Sequence, residues 1–309
     1  MTDISVAEIL RMFDPSLRLV RQWVLHGGQS SNMMAAEVEG PPGQVTKLVI
    51  RRPRAGVNWG NPHRIANEFH ALAALERAGF PAPRPLFLDL WSDDAPPDYM
   101  VTSFVDGVAD FAPSDEAGFV DALAAALADV HRIDADDPDL SAVPDQAAVL
   151  SGFLDVMPKG LDETLEAPRL LSVLHDAWPL GTHRKTLVHG DYWPGNVLWL
   201  DRRVSAVIDW ESCSVGHPLT DVAVMRLNLL WMLGADAMES FTTRYAACSH
   251  AVLDDLPFWD LAAALRPAAG IVDWAAGWAA SGRPDITEEV MRAKHRRFRT
   301  AALERMANL

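Results

Sequence analysis

The segment LVHGDYWPGNVLW, residues 187–199, places a histidine, an aspartate and an asparagine within eight residues of an otherwise strongly apolar stretch. VIDWE, residues 207–211, adds a second aspartate inside another apolar run. The residues around GDYWPG are typical of short strands, and VSAVID (204–209) is typical of a third strand. This pattern requires a buried scaffold that presents Asp191, Asn196 and Asp209 together at its edge.

These three side chains are suited to one kind of chemistry. Carboxylate and amide oxygens are the ligands that a hard divalent cation such as Mg²⁺ prefers. A further carboxylate, held away from the metal, can accept the proton of a hydroxyl group. Phosphoryl transfer requires both features, charge neutralisation and a positioned nucleophile. Each residue alone could instead form a turn, because Asp and Asn favour turns.

The charge of the chain excludes some partners. The sequence has 42 acidic and 27 basic residues in 309, a net charge of −15. A nucleic-acid-binding surface needs a basic face, and an anionic membrane surface also attracts basic residues. We therefore expect neither as a partner, and expect a neutral or cationic small molecule instead.

The sequence also indicates a cytoplasmic protein. Two cysteines, Cys213 and Cys248, are too few for a disulfide framework. The N-terminus lacks the basic and apolar regions of a signal peptide. The longest apolar stretch, 261–280, contains Arg266, Pro267 and Asp273, so it is not expected to cross a membrane.

Two regions of different composition follow one another along the chain. Strand patterns occur at 17–25, 33–39, 44–52 and 98–105, with a helix at 62–78 that begins at Asn61-Pro62. Helical patterns follow at 114–133, capped by Ser114, and at 161–177, and again after Pro218. These patterns predict an α+β protein with two lobes, residues 1–105 and 106–309.

The motifs H-G-D-x-x-x-x-N, I-D-W-E and D-V-A resemble those of the aminoglycoside phosphotransferase family, whose members are small-molecule kinases with a two-lobed protein-kinase-like fold. The resemblance implies that Asp191 is the catalytic base and that Asn196 and Asp209 hold Mg²⁺. It implies that Asp221 accepts hydrogen bonds from the backbone of the catalytic loop, and that His189 supports this loop. It also implies a sheet-containing N-terminal lobe with one main helix and a largely helical C-terminal lobe.

The resemblance extends to the first lobe. LHGGQSSN resembles a loop that covers nucleotide phosphates, LVIRR a strand with a phosphate-pairing cation, and NEFHALAAL the helix whose glutamate pairs with that cation. YMVTSFVDG resembles the hinge against which the base stacks. The nucleotide-binding residues implied are Gly28, Ser30, Ser31, Asn32, Arg51, Glu68, Ser103 and Val105.

Three features differ from the protein-kinase pattern. Arg51 stands where those kinases have lysine, although arginine keeps the charge and can bond phosphate oxygens in pairs. The covering loop lacks G-x-G-x-x-G, and the hinge has Ser103 where an acidic anchor often stands, so ATP and GTP both remain open. Lys47 is a rival to Arg51 because it lies on the same face of the strand.

Several residues have a structural alternative. His189 could ligate a metal or only hydrogen-bond the loop, and Glu68 could face solvent. Glu211 could touch metal or substrate, or cap a turn. The C-terminal helices combine tryptophans with acids, either as an acceptor pocket for a bulky amphipathic or cationic alcohol, or as ordinary core and surface: Trp231, Trp259, Trp274, Trp278, Asp236, Glu239, Asp254, Asp255, Asp260 and Asp273.

The sequence therefore predicts a Mg²⁺-dependent phosphotransferase that moves the γ-phosphate of ATP, or of GTP, to a hydroxyl group of a small molecule. A catalytically silent kinase-like nucleotide-binding module is the first alternative. A metal hydrolase that uses His189 and Asp191 is the second, but it leaves the pattern of the first 105 residues without a role.

Overall fold

A computed structural model describes residues 4–25, 31–54, 63–90, 99–155, 160–181 and 183–307. Strands dominate the first part of the chain and helices the rest, as the sequence predicts. The described strands are β1 (Arg18–Leu25), β2 (Ser31–Gly40), β3 (Gln44–Pro53), β4 (Pro85–Asp89), β5 (Tyr99–Ser103), β6 (Thr186–Val188), β7 (Val197–Leu200), β8 (Arg203–Val207) and β9 (Ser214–Gly216). The described helices are α1 (Val6–Phe13), α2 (Arg64–Arg77), α3 (Glu116–Val130), α4 (Gln146–Asp155), α5 (Ala167–Ala177), α6 (Leu219–Met232), α7 (Ala235–Ser249), α8 (Leu256–Leu265), α9 (Ile271–Ala280) and α10 (Glu288–Met306).

The N-terminal sheet has five strands in the order β1-β2-β3-β5-β4 and is antiparallel throughout. The central strand β3 carries Arg51, which pairs with Met33 on one side and Met100 on the other. A central strand is held by ladder hydrogen bonds on both edges. The backbone position of Arg51 is therefore tightly defined.

Helix α1 covers the apolar face of this sheet, and the sequence patterns above did not predict it. Ile9 and Leu10 are buried with Ile50 and Tyr99 in one apolar cluster. The helix begins with a capping box, in which the Ser5 hydroxyl accepts from the N–H of Glu8 and the Glu8 carboxylate accepts from the N–H of Ser5.

Helix α2 joins the sheet to the helical part. Leu72 and Leu75 are buried in the large apolar cluster that also contains the helices of the C-terminal part. The helix is capped at His63, and the predicted start at Asn61-Pro62 lies outside the described residues. Helix α2 contacts the short 3₁₀ turn Trp210–Ser212, which brings Glu68 close to Asp209.

Two helix boundaries in the C-terminal part differ from the prediction. Asp115, not Ser114, caps α3, because the Asp115 carboxylate accepts from the N–H of Gly118. A 3₁₀ turn precedes α5, which begins at Ala167 rather than at 161. Helix α4 was not predicted. Within the described chain, no helix combines the length and the apolar character needed to span a bilayer.

Arg226 and Asp260 form a buried ion pair in the helical part. Arg226 of α6 donates to both carboxylate oxygens of Asp260 of α8, at 3.0 and 3.1 Å, and its side chain is 2% exposed. It also donates to the hydroxyl of Thr242 on α7. Burial raises the pKa of Asp260 to about 6 against the opposing effect of Arg226. Arg226 therefore links α6, α7 and α8, and its buried charge is compensated by Asp260.

We expect Arg226→Met to destabilise the protein by roughly 3–5 kcal/mol, because it leaves Asp260 buried without its partner. Urea unfolding followed by circular dichroism measures this change. Arg244→Met is the matched control, since Arg244 lies on α7, is half exposed and is only 3.8 Å from the equally exposed Asp121. Equal stability of the two variants would contradict a stabilising role of the buried Arg226–Asp260 pair.

Candidate active site

A cavity of about 850 Å³ lies between the sheet and the helical part. The sheet side contributes Met33, Val49 and Arg51, and the hinge after β5 contributes Val105. The catalytic-loop segment and the C-terminal helices form the opposite wall, which includes Asp191, Asn196, Asp209 and Arg266. Asp191, Asn196 and Asp209 therefore all line this one cavity.

The loop before Asp191 is fixed by a buried carboxylate. The backbone N–H groups of His189 and Gly190 donate to the two oxygens of Asp221, at 2.7 and 2.8 Å. Burial alone would raise the pKa of Asp221, but the hydrogen bond with His131 and the N–H donors hold it below its ordinary value. Asp221 therefore remains ionised at neutral pH and holds the loop by charge-assisted hydrogen bonds.

Gly190 permits the close approach of this loop to a neighbouring turn. Its φ is +78°, and a Cβ at this position would lie 2.2 Å from the carbonyl oxygen of Ser212. Only glycine fits both conditions. The H-G-D triplet is therefore a backbone requirement as well as a chemical motif.

His189 has both ring nitrogens engaged. Nε2 donates to the carbonyl oxygen of Ile208 at 2.9 Å, which leaves Nδ1 to accept from the N–H of Asp191 at 3.2 Å. The ring thus joins the loop to the residue before Asp209, and neither nitrogen is left for a metal. This arrangement removes the basis of the hydrolase alternative.

Asn196 and Asp209 present their oxygen atoms to the same cavity as Asp191. The Asn196 amide donates to the backbone oxygen of Asp191 at 2.9 Å and to its carboxylate at 3.2 Å, so its own oxygen is turned to a different side. Asp209 has φ of +66°, and its side chain is 37% exposed in the cavity. No cluster of three or more His, Cys, Asp or Glu ligands occurs in the described ranges. An amide and a carboxylate oxygen nevertheless match a cation that takes its remaining ligands from phosphate and water.

Arg51 lies at the centre of a carboxylate cluster. Its Nη1 bonds Glu68 at 2.8 Å and Asp209 at 2.9 Å, its Nη2 bonds Glu211, and its Nε donates to the hydroxyl of Ser31 at 3.2 Å. Burial raises the pKa of Glu68 to about 8, and the neighbouring Asp209 and Glu211 add to this against the effect of Arg51. The Arg51 guanidinium therefore bonds three carboxyl groups.

The rival cation lies elsewhere. Lys47 pairs with Asp106 at 2.8 Å and lies 5.1 Å from the centre of the Phe104 ring, on an exposed part of the sheet. Arg51 has its contacts inside the cavity instead. The geometry therefore places Arg51, not Lys47, opposite the catalytic loop.

The remaining nucleotide-binding candidates are divided. Ser31, Ser103 and Val105 line the cavity, whereas Gly28 and Ser30 lie outside the described residues. Asn32 accepts from Arg54 at 3.1 Å, is exposed and is not among the cavity residues. The N–H of Ser103 donates to the carbonyl of Arg84, because β5 continues its pairing there, so this N–H is not available to a base. The assignments of Asn32 and Ser103 to nucleotide binding stay predictions.

Arg266 is the main site residue that the sequence patterns missed. Its Nη1 donates to the carbonyl oxygen of Gly190 at 2.7 Å, and its Nη2 pairs with Oδ1 of Asp191. Arg266 follows the last turn of α8, 75 residues after Asp191. The available signal was a charged residue inside the apolar stretch 261–280, but spacing alone does not say which residue it meets.

The fold is the kinase-like fold of small-molecule phosphotransferases. The chain matches the Phosphotransferase enzyme family over residues 24–260 and belongs to this family. The recognition made from the H-G-D-x-x-x-x-N motif is confirmed.

Curated relatives match only part of their own length. The chain is 24% identical over 246 residues to acyl-CoA dehydrogenase family member 11 of Pongo abelii and 25% identical over 245 residues to that of Homo sapiens. The match covers 70% of this chain and 31% of each relative. The chain therefore spans about a third of these relatives.

Solved structures share the fold over nearly the whole chain. The GDP and kanamycin complex of APH(2")-IIia superposes with a TM-score of 0.61 at 18% identity and covers 98% of both chains. A ternary complex of aminoglycoside phosphotransferase APH(4)-Ia with AMP-PNP and hygromycin B gives 0.61 at 17% identity, over 96% of this chain and 98% of that one. Amicoumacin kinase hAmiN gives 0.60 at 14% identity over 89% of each chain. The expected two-lobed, protein-kinase-like α+β fold is confirmed.

We expect the free energy of unfolding to fall as pH rises from about 4.5 to about 8, because the raised pKa of Glu68 favours the folded state only while this carboxyl is protonated. Glu68→Gln should remove this part of the slope. Urea unfolding of the nucleotide-free protein at several pH values measures it. The control is Glu76→Gln, at an exposed position of the same helix. A slope unchanged in Glu68→Gln would show that Glu68 is ionised throughout this range.

Proposed function

We propose that this protein is a Mg²⁺-dependent phosphotransferase that transfers the γ-phosphate of ATP, or of GTP, to a hydroxyl group of a small molecule. The observation that carries the proposal is the single cavity with Asp191, Asn196 and Asp209 on one side and Arg51 on the other. In this proposal, residues 1–105 form the nucleotide-binding lobe and residues 106–309 carry the catalytic loop and the acceptor pocket. The low cysteine content supports a cytoplasmic location.

The relatives support nucleotide binding without deciding the base. Two of the similar solved structures are complexes with AMP-PNP, an ATP analogue, and a third is a complex with GDP. In this chain the base would lie against the hinge, near the backbone of Val105, between Met33 and Val49 on one side and Leu198 and Ile208 on the other. These apolar residues suit either purine.

Arg51 holds the nucleotide phosphates, with Glu68 fixing its orientation from α2. Phosphate oxygens replace Asp209 and Glu211 as partners of the Arg51 guanidinium, which releases Asp209 for the cation. Asp209 and Glu211 present further carboxylate oxygens beside Arg51 and its neighbour Arg64, which lies 3.8 Å from Glu211. This oxygen-rich site fits a divalent cation once phosphates engage Arg51. Mg²⁺, when held by Asn196 and Asp209, neutralises charge on the phosphates.

Asp191 accepts a hydrogen bond from the acceptor hydroxyl and takes its proton late in the transfer, as expected for a loose transition state. Asn196 and Arg266 each bond one of its carboxylate oxygens, so the carboxylate is oriented before the acceptor binds. The guanidinium of Arg266 also places a positive charge beside the reacting groups. Arg266 is thus proposed as a positioning residue for Asp191.

A catalytically silent nucleotide-binding module remains the alternative function. It predicts binding of nucleotide and Mg²⁺ with no phosphoryl transfer to any alcohol and no slow transfer to water. The presence of Asp191, Asn196 and Asp209 in one cavity favours the enzyme. A nucleotide-consumption screen separates the two, with an acceptor panel that contains hygromycin B, kanamycin, amicoumacin and a hydroxyacyl thioester, the last because of the names of the curated relatives.

Asp191→Ala is expected to lower turnover roughly 10²–10⁴-fold while nucleotide still binds, because it removes the proton acceptor but no phosphate ligand. Asp209→Ala is expected instead to abolish Mg²⁺-dependent nucleotide binding. Enzyme kinetics and calorimetry distinguish the two effects. Asp236→Ala, at an exposed position of α7, is the control for both. Wild-type turnover in Asp191→Ala would refute the base assignment.

Arg266→Met is expected to lower kcat roughly 10²-fold with little change in nucleotide affinity, because Asp191 loses one of its two fixing contacts. Arg266→Lys should recover only part of the rate, since lysine keeps the charge but cannot bond Gly190 and Asp191 together. Arg169→Met, at an exposed position of α5, serves as the control. If Arg266→Met changes only the affinity for nucleotide, the positioning role is wrong.

A further inference from the structure

One face of α9 lines the cavity next to the catalytic loop. The cavity wall includes Asp273, Trp274, Gly277, Trp278 and the helix C-cap Ser281. Counted from Asp273 they follow at one, four, five and eight residues, which places them on one helical face. This face therefore borders the space that the acceptor must enter to reach Asp191.

Gly277 leaves open volume at the middle of this face. A Cβ built at Gly277 meets no atom within 4 Å, and the residue has ordinary helical geometry rather than a positive φ. Glycine inside a helix is less favourable than alanine, so neither backbone conformation nor packing requires it here. Gly277 is exposed and lines the cavity, so the space above it is open to a ligand.

The surroundings of this space are aromatic. Trp193 lies two residues after Asp191. Its ring centroid is 5.8 Å from that of Phe111 and 5.7 Å from that of Trp278, and the ring centroids of Phe111 and Trp278 are 5.7 Å apart. Trp274 is half-buried on the same helical face as Gly277. Flat apolar surfaces favour ligands that stack or pack against rings.

The same region has few carboxylates for a cationic ligand. Glu68, Asp209 and Glu211 are engaged with Arg51, and Asp191 with Arg266. Among the described cavity residues this leaves Asp273 as the further acid. The other acids of the C-terminal helices do not line the cavity: Asp236, Glu239, Asp254, Asp255 and Asp260. The charge of −15 therefore lies largely outside the acceptor region.

We propose that the acceptor is an alcohol with a flat apolar body and at most one positive charge, seated on Gly277 against Trp193 and Trp274 with its hydroxyl at Asp191. This inference rests on the proposed function. The acceptor oxygen forms a bond to the γ-phosphorus, the bond from that phosphorus to the β-phosphate oxygen breaks with its electron pair on the leaving nucleoside diphosphate, and the hydroxyl proton passes to Asp191. Gly277 is then the residue that sets the size of the acceptor.

The test uses 2-(2-naphthyl)ethanol as the apolar probe and kanamycin and hygromycin B as polycationic ones, with the 309-residue chain. Gly277→Leu fills the open space, and Gly277→Ala fills part of it. Gly152→Leu is the matched control, because Gly152 lies in α4, also has no atom within 4 Å of a Cβ, and is not a cavity residue. Probe binding is measured by saturation-transfer NMR and calorimetry, nucleotide binding by calorimetry, and folding by thermal unfolding.

We expect the naphthyl probe to bind the wild type and Gly152→Leu equally, Gly277→Ala a few-fold more weakly, and Gly277→Leu at least tenfold more weakly, with nucleotide binding unchanged in all four. Unchanged probe affinity in Gly277→Leu, no probe binding to the wild type, or tighter binding of the aminoglycosides than of the probe would overturn the inference. If Gly277→Leu does not fold, Gly277→Ala decides by its probe affinity. Failure of the wild type to bind nucleotide counts against the proposed function alone, because probe binding is measured without nucleotide.

Discussion

The contacts of the Arg51 guanidinium join the N-terminal sheet to the rest of the molecule. Arg51 is 6% exposed and bonds Glu68 of α2, Asp209 at the end of the β7–β8 segment and Glu211 beyond it. A buried charge must be paired, so the sheet, α2 and the catalytic segment cannot separate without exposing it. In the proposed function, phosphate oxygens take over the bonds of Arg51 to Asp209 and Glu211, and a cation binds beside Asp209. The cluster therefore suits an anionic ligand that binds together with a cation.

The opposite wall of the cavity is held more rigidly. Asp221 is fully buried and binds the backbone of the loop at two points, and His131 links it to the hydroxyl of Tyr245 at 2.7 Å. His189 adds a third fixed connection, to Ile208. None of these contacts requires exchange when a ligand binds. The carboxylate of Asp191, the proposed base, is thus presented by a preorganised loop, while the exchange of partners in the proposed function concerns Arg51.

Local patterns predicted the strands of the sheet and the positions of Asp191, Asn196 and Asp209, since alternation and turn residues depend on neighbours in sequence. They failed where a second element decides the outcome. Trp231 and Trp259 are 1% and 2% exposed and belong to the core, whereas Trp274 and Trp278 line the cavity. All four lie in similar apolar helices, so composition cannot separate them. Helix α1 was missed because an eight-residue helix gives few repeats of its apolar face.

The sequence by itself determined the family, the α+β class and the polar residues of the catalytic segment, because these are encoded by spacing within about 20 residues. Only the tertiary structure decided which cation faces the cavity, which residue bonds Asp191 and where open volume lies in the cavity wall. Arg266 and Gly277 reach the site from helices 75 or more residues beyond Asp191. The physical reason is that hydrogen bonding and strand periodicity act between near neighbours, whereas a shared charge and an open volume arise only when distant helices pack together.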